Sequence, residues 1–307
     1  MSTAFRRLAC IALLAGCTQS SASPVALPEG RSDAGVARSW VAPEGRRQNL
    51  LYVSGNSGYV YIYTFPAGKL VGTLAGFQEV AGVCSDAAGN VFVANSAGLD
   101  VIEYAHGGSS PIATLADGEN YSFSCSVDPR NGDLAVSNIF SLSGGGSIAI
   151  YHHARGVPTM YQDPQSLENF FIGYGPRLQL FFDAQGSGVE FWRFHRGRFS
   201  AIDVKGVTMN SPEGIQYARG SLTISAPDGS RSAFIYRLTT SGTITGATHL
   251  LDGGDCLAYD IWKTYVICAS SNGNVPVFAY PAGGPPIETI GPSSGPFAVV
   301  ISEAPKR

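Results

Sequence analysis

Short apolar runs in which every second side chain is Val, Ile, Leu or an aromatic recur along the whole chain, each closed off by Gly, Pro, Asn or Asp. Alternation of period two bounded by turn residues predicts half-buried strands joined by tight corners. Six times an apolar run ends on an aromatic residue, passes through a Gly/Pro-rich turn and continues as a short Thr/Ile/Leu strand. VYIYTFPAGKLVGTLAG, VIEYAHGGSSPIATLAD and VPVFAYPAGGPPIETIG are the clearest copies. The aromatic positions are Tyr63, Tyr104, Tyr151, Trp192, Tyr236 and Phe278, separated by 41, 47, 41, 44 and 42 residues.

A β unit that repeats every 40–50 residues or so is the signature of a propeller blade. The pattern therefore predicts an all-β, six-bladed propeller of four-stranded antiparallel blades. In the second repeat the strands are expected at 81–86, 91–95, 99–104 and 111–115. The first repeat starts directly at 50–54 and lacks an innermost strand. Residues 296–302 (PFAVVIS) have the character of that missing strand, so the C-terminus is expected to complete the first blade and close the ring without an unpaired inner edge.

Composition agrees with many corners: 38 Gly and 18 Pro accompany a charged fraction of 14%, below the usual value of about 25%. A formal charge of −3 without a basic stripe excludes nucleic acid as a partner. The N-terminus changes the picture more. Arg6 and Arg7 precede a short apolar core ending in Leu14-Ala15-Gly16-Cys17, the layout of an export signal and too short for a spanning helix, which needs about 20 apolar residues. The last four residues resemble the lipobox of bacterial lipoproteins. That resemblance implies cleavage before Cys17, lipid attachment to it and, with Thr18 next, an outer-membrane address; a plain signal peptide is the other reading. Residues 1–16 are expected to be the signal, 17–47 the lipidated Cys and a Ser/Ala/Pro/Gly-rich tether, and 48–307 the propeller, a monomer touching the membrane only through its anchor.

Outside the cytoplasm an even number of cysteines suggests disulfides. A turn centred on Trp262 sets Cys256 opposite Cys268, and Cys84 and Cys125 hold equivalent places on neighbouring inner strands. The expected bonds are Cys256–Cys268 and Cys84–Cys125, with four free buried thiols as the alternative.

The runs Asp86-Ala-Ala-Gly-Asn90 before Val-Phe-Val and Asp128-Pro-Arg-Asn-Gly-Asp133 before Leu-Ala-Val resemble the NHL, YVTN and gluconolactonase-like group of six-bladed propellers. That resemblance implies a Ca²⁺ or Mg²⁺ ion at one tunnel mouth, held by carboxylates and amides at inner-strand starts, here Glu168, Glu213 and Asp255, with Ser211-Pro-Glu-Gly214 closest to the family's strand start. Such an ion would polarise a lactone or ester carbonyl. The chain departs from the family in lacking an Asn-Gly or Asp-Gly pair at a second inner-strand start. The ends of the second strands, Asn56, Asn95, Asn138, Asp183, Asp228 and Asn272, are explained by turn bonding, a ligand-binding ring being the alternative. His106, His152, His153, His195 and His249 follow the aromatic positions, on outer strands and surface turns. No Gly-x-Ser-x-Gly elbow is present. The functional expectation is a lipid-anchored binding module for a protein, glycan or small ligand, without a required cofactor. The alternative is a metal-dependent lactonase or hydrolase.

Overall fold

The computed structural model describes residues 38–186, 191–207, 209, 212–229, 231–291 and 295–305. The expected signal peptide, Cys17 and most of the expected tether lie outside the described residues, as does Ser211.

Six antiparallel sheets follow one another around an axis; in the second to sixth the first strand is innermost, and in the first the order is β1-β4-β3-β2-β25. The first blade contains β1 (Trp40–Val41), β2 (Leu50–Gly55), β3 (Tyr59–Thr64) and β4 (Leu70–Leu74). The second is β5 (Val80–Ser85), β6 (Val91–Asn95), β7 (Asp100–Tyr104) and β8 (Pro111–Ala116). The third is β9 (Asn120–Val127), β10 (Leu134–Ser141), β11 (Ser147–Tyr151) and β12 (Thr159–Tyr161). The fourth comprises β13 (Ser166–Tyr174), β14 (Leu180–Gly186), β15 (Phe191–His195) and β16 (Arg198–Ala201). The fifth comprises β17 (Ile215–Ala218), β18 (Ser221–Pro227), β19 (Ala233–Leu238) and β20 (Ile244–Leu250). The sixth has β21 (Ala258–Trp262), β22 (Tyr265–Ala269), β23 (Val275–Ala279) and β24 (Glu288–Ile290), and the chain ends in β25 (Pro296–Ser302).

β25 pairs antiparallel with β2, from Leu50 opposite Ser302 to Gly55 opposite Pro296. The C-terminus thus supplies the inner strand of the first blade, as the sequence predicts. One boundary shifts. Trp40–Val41 adds a fifth, outermost strand to that blade by pairing with β4, and a 3-10 turn follows at Pro43–Arg47. These residues, expected in the tether, belong to the folded blade because Val41 pairs with Gly72 and packs on the core, and Gly45 lies against Val71.

The six recurring aromatics all stand on third strands. Tyr63, Tyr104, Tyr151, Trp192 and Phe278 are buried and Tyr236 is half-buried, filling the spaces between blades. Inner strands approach closely where glycine permits it: a Cβ at Gly82 of β5 would meet the Ser124 Cα of β9 at 2.7 Å, and one at Gly173 of β13 would meet the Ile215 carbonyl of β17 at 2.8 Å.

Adjacent inner strands belong to different sheets, so side chains join them. Ser85 Oγ donates to the Ile301 carbonyl at 3.0 Å, and Tyr174 N–H donates to Ser126 Oγ at 3.0 Å. Buried Asp260 accepts from Ile301 N at 2.7 Å and from Gln216 Nε2 at 2.8 Å. Gln216 Oε1 in turn accepts from Ile261 N at 2.8 Å. One polar chain therefore links β17, β21 and β25 across the point where the ring closes.

Both expected disulfides are present: Cys84–Cys125 joins the second and third blades, and Cys256–Cys268 lies within the sixth. The register behind the second pairing differs from expectation. Trp262 faces Tyr265, the turn is Lys263-Thr264 with Lys263 at φ 53°, and Cys268 faces Tyr259. Cys256 stands two residues ahead of β21 and reaches Cys268 across a Cα–Cα distance of 5.1 Å.

Candidate functional site

The strand order gives the molecule two unlike faces. On one, the chain crosses from each outer strand to the next inner strand; this crossover face also carries the turns between second and third strands. The opposite, hairpin face carries the turns between first and second and between third and fourth strands. The connections sort charge between them. Glu79, Glu119, Glu168, Glu213 and Asp255 stand at or just before the starts of the inner strands of the second to sixth blades, all on the crossover face. Arg130, Arg177, Arg219 and Lys263 occupy the first hairpin turns of the third to sixth blades on the hairpin face. The crossover mouth is thus acidic at its inner-strand starts, whereas the hairpin face mixes signs, since Asp86, Asp128 and Asp133 share its first turns and Arg130 pairs with Asp128 at 2.7 Å.

The three carboxylates expected to hold a metal belong to the acidic ring, yet the structure does not gather them into a ligand set. Among the described residues no group of three or more His, Cys, Asp or Glu side chains is placed to hold a metal ion. Asp255 Oδ1 accepts from Ser271 N at 2.8 Å and from Ser270 Oγ at 3.3 Å, closing a turn of its own blade. Glu168 pairs across the sheet with Gln185, and Glu213 N–H joins the Ser225 carbonyl at 2.9 Å. The residues do not fit the ion that the family resemblance implies, and no reaction step is derived through one.

The axis beneath the acidic ring is filled by aromatic rings. Phe297 of β25 lies 5.0 Å from Phe123 of β9 and 6.2 Å from Phe171 of β13, and Phe123 lies 5.2 Å from Phe170. The first and fourth blades stand opposite each other in a ring of six, so the contact between Phe297 and Phe171 crosses the centre. Phenylalanine rings therefore meet at the axis on the side of the acidic strand starts.

One sector of this face rises above the rest, because β9, β10 and β13 are longer than the other inner and second strands. Phe140 lies against Tyr121, ring centroids 4.4 Å apart and planes tilted by 35°. Leu142 N–H continues the ladder by donating to the Glu119 carbonyl at 2.9 Å, and Gly146 N–H donates to the Leu167 carbonyl at 2.6 Å. Phe140, Leu142 and Leu167 remain 42%, 61% and 54% exposed. Three large apolar side chains on adjoining strands and loops form an exposed rim of the kind that marks interaction sites, flanked by Glu119 and Glu168.

Two of the amides and carboxylates expected to end second strands reach beyond their own turns, and Asp183 stands inside β14, which runs on to Gly186. Asn95 Oδ1 accepts from Gln78 N at 2.8 Å, and Asp183 Oδ1 accepts from Phe171 N at 2.6 Å. Each reaches the incoming inner segment where the ladder is irregular, satisfying backbone donors that a bulge leaves out of register. Among the histidines, His106 is half-buried. Its Nδ1 lies 2.6 Å from Ser302 Oγ and its Nε2 3.1 Å from the Gln48 carbonyl, so it pins a turn of the second blade to both termini of the first. Burial holds its pKa below the ordinary value. His249 pairs with Asp228 at 3.0 Å and stacks on Phe234.

No family model matches the chain, and no curated protein matches it in sequence. Solved structures do. The fold is that of a six-bladed β-propeller. A chain from the crystal structure of a nidogen/laminin complex superposes with a TM-score of 0.68 at 10% identity, covering 84% of this chain and all of that one. A protein of unknown function from Bacteroides caccae gives a TM-score of 0.64 at 10% identity, covering 83% of this chain and 99% of its own. At such identity the likeness extends to architecture alone, because propellers host many unrelated activities.

Proposed function

We propose that the protein is an exported, lipid-anchored interaction module that docks a protein partner on its crossover face. The observation that carries this reading is the exposed rim of Phe140, Leu142 and Leu167, set in a face whose inner-strand starts are acidic in five blades. Apolar side chains supply contact area, and the surrounding carboxylates favour a partner bearing basic residues and speed its encounter. The nidogen/laminin match supports the reading by analogy, since a propeller of this architecture occurs in a protein complex. The two disulfides support export, and the lipobox-like run before Cys17 supports a lipid anchor and an outer-membrane address. Kinship with the NHL, YVTN and gluconolactonase-like group belongs to the same proposal and rests on the Asp-rich turns after its inner strands.

The test is site-specific photocrosslinking of the full-length protein in its native envelope. A crosslinker at Leu142 or Leu167 is expected to capture a discrete adduct, while crosslinkers at Ile112, of similar exposure, and Val157, more exposed still, capture none. The same yield at all four positions contradicts a docking role for the rim. Replacement of Cys17 by Ala is expected to move the protein from the membrane to the soluble fraction; retention on the membrane contradicts the anchor.

A further inference from the structure

On the hairpin face, the turns between first and second strands change character around the ring. In the second and third blades their carboxylates are consumed locally. Asp86 accepts from Ala88 N at 2.9 Å and from Asn90 N at 2.8 Å. Asp128 is fully buried and paired with Arg130 at 2.7 Å, and Asp133 accepts from His153 N at 2.9 Å. The matching turns of the fourth to sixth blades are Gly175-Pro-Arg-Leu-Gln179, Arg219-Gly220 and Lys263-Thr264, with three cations and no acid. All three cations are exposed. Arg219 Nη1 reaches the Lys263 carbonyl at 3.5 Å, so the turns of the fifth and sixth blades adjoin.

Two observations set this arc apart from ordinary turns. Arg177, Arg219 and Lys263 have φ of 59°, 50° and 53°, in the left-handed region where Gly, Asn or Asp is the usual occupant. Turn formation therefore does not explain a long cationic side chain at these positions. Each cation also stands beside an apolar or aromatic side chain. Leu178, exposed, follows Arg177, and Tyr217, exposed, lies two residues before Arg219. Lys263 Nζ lies 3.9 Å over the ring of half-buried Trp262, whose Nε1 donates to Glu303 Oε1 at 2.7 Å. Cations beside amphipathic rings suit a membrane–water interface, where basic groups meet lipid phosphates and Trp and Tyr sit at headgroup level.

We propose that the turns of the fourth to sixth blades seat the propeller on the headgroups of an anionic phospholipid bilayer, a second membrane contact beside the expected lipid anchor. Charge complementarity carries the assignment, and the exposed Leu178 and Tyr217 favour a bilayer over a free anion. The net charge of −3 opposes it little, because charges more than about 8 Å from the surface are screened at physiological salt. The chain outside the structure permits this pose. The 20 residues between Cys17 and Arg38 reach at most about 70 Å, against a radius of gyration of about 18 Å for a domain of this size. With the hairpin face on the membrane, the crossover face and its rim point away from it. That consequence for docking rests on the interaction reading; the seat does not.

Co-sedimentation with vesicles tests the seat, using the full-length chain with Cys17→Ala to remove the acyl attachment point. Vesicles are phosphatidylcholine alone or phosphatidylcholine mixed with phosphatidylglycerol. Binding is expected to be tighter on the mixed vesicles and to weaken as salt rises. On the same background, Arg177→Asn, Arg219→Asn and Lys263→Asn combined should lose roughly a hundredfold in affinity for the mixed vesicles. Asn suits the left-handed turns, so that variant should melt no lower than its parent. Arg177→Lys with Arg219→Lys keeps the charge and should bind like the parent. So should Arg231→Asn, which removes an exposed left-handed arginine from the crossover face. Equal binding to both kinds of vesicle, or undiminished binding by the triple variant, overturns the proposal. A loss as large in Arg231→Asn, or in the pair that keeps the charge, overturns it too. Binding to dextran sulfate without binding to mixed vesicles assigns the arc to a polyanionic glycan and overturns the membrane seat. Loss of the crosslink at Leu142 with vesicle binding intact counts against the interaction reading alone.

Discussion

Replacing Asp260 by Ala is expected to weaken the whole ring at its closing point. The carboxylate accepts from Ile301 N of β25 and from Gln216 Nε2 of β17, and the substitution leaves both donors without an acceptor in a packed interior. A buried donor stripped of its partner costs about 1–3 kcal/mol, so the two together cost roughly 2–6 kcal/mol. That is a large share of the roughly 5–15 kcal/mol that stabilises an ordinary domain. At about 2–4 °C per kcal/mol for a chain of this size, the melting temperature should fall by roughly 5–20 °C. Asp260→Asn is expected to lose about half as much. Its oxygen still serves Ile301, but Gln216 cannot turn its own oxygen towards the new amide while that oxygen holds Ile261 N. Thermal unfolding followed by near-ultraviolet circular dichroism gives both values. A loss below about 2 °C for the Ala variant, or Asn behaving like Ala, would show that the polar chain does not carry closure.

Removing either disulfide should destabilise the fold, and the longer loop should matter more. With sequence separations of 41 for Cys84–Cys125 and 12 for Cys256–Cys268, chain-entropy estimates are roughly 4 and 3 kcal/mol; paired Cys→Ala variants compared by denaturant titration check the order. His106→Ala breaks the link from the second blade to Ser302 and Gln48 and should cost about 1–3 kcal/mol, with faster amide exchange in β25 than in β9. Because burial lowers the His106 pKa, its neutral form is the one the fold favours, so this contribution should be present above the unfolded value of about 6.5 and decline as pH falls below it. An acid limb of the stability profile identical in wild type and His106→Ala contradicts that reading.

Architecture was legible because propeller blades repeat their strand pattern and punctuate it with Gly, Asn and Asp. The four expected strands of the second blade lie within a residue of those observed, and the closing strand at 296–302 coincides with β25. The acidic ring was half visible for a definite reason. Glu168, Glu213 and Asp255 precede clean apolar runs, whereas the third inner strand starts at Asn120, where ladder irregularities near Asn138 interrupt the alternation. The sequence pattern placed its start at Cys125, which hid Glu119. Periodicity records burial, so it found the core. It is silent about which polar groups meet across a seam, and for that reason the role of His106 and the chain from Gln216 to Ile301 emerge only from the folded geometry. The same limit applies to the metal expectation: a shared place in the repeat sets carboxylates on one face, but a ring of six blades holds them apart.

Hydroxyl-radical footprinting of the protein in intact cells, set beside the purified protein, tests the interaction reading most directly. Phe140, Leu142 and Leu167 should be oxidised more slowly in cells than in isolation, while Ile112 and Val157 change little. Equal oxidation of all five side chains in both preparations would contradict a partner seated on the crossover face.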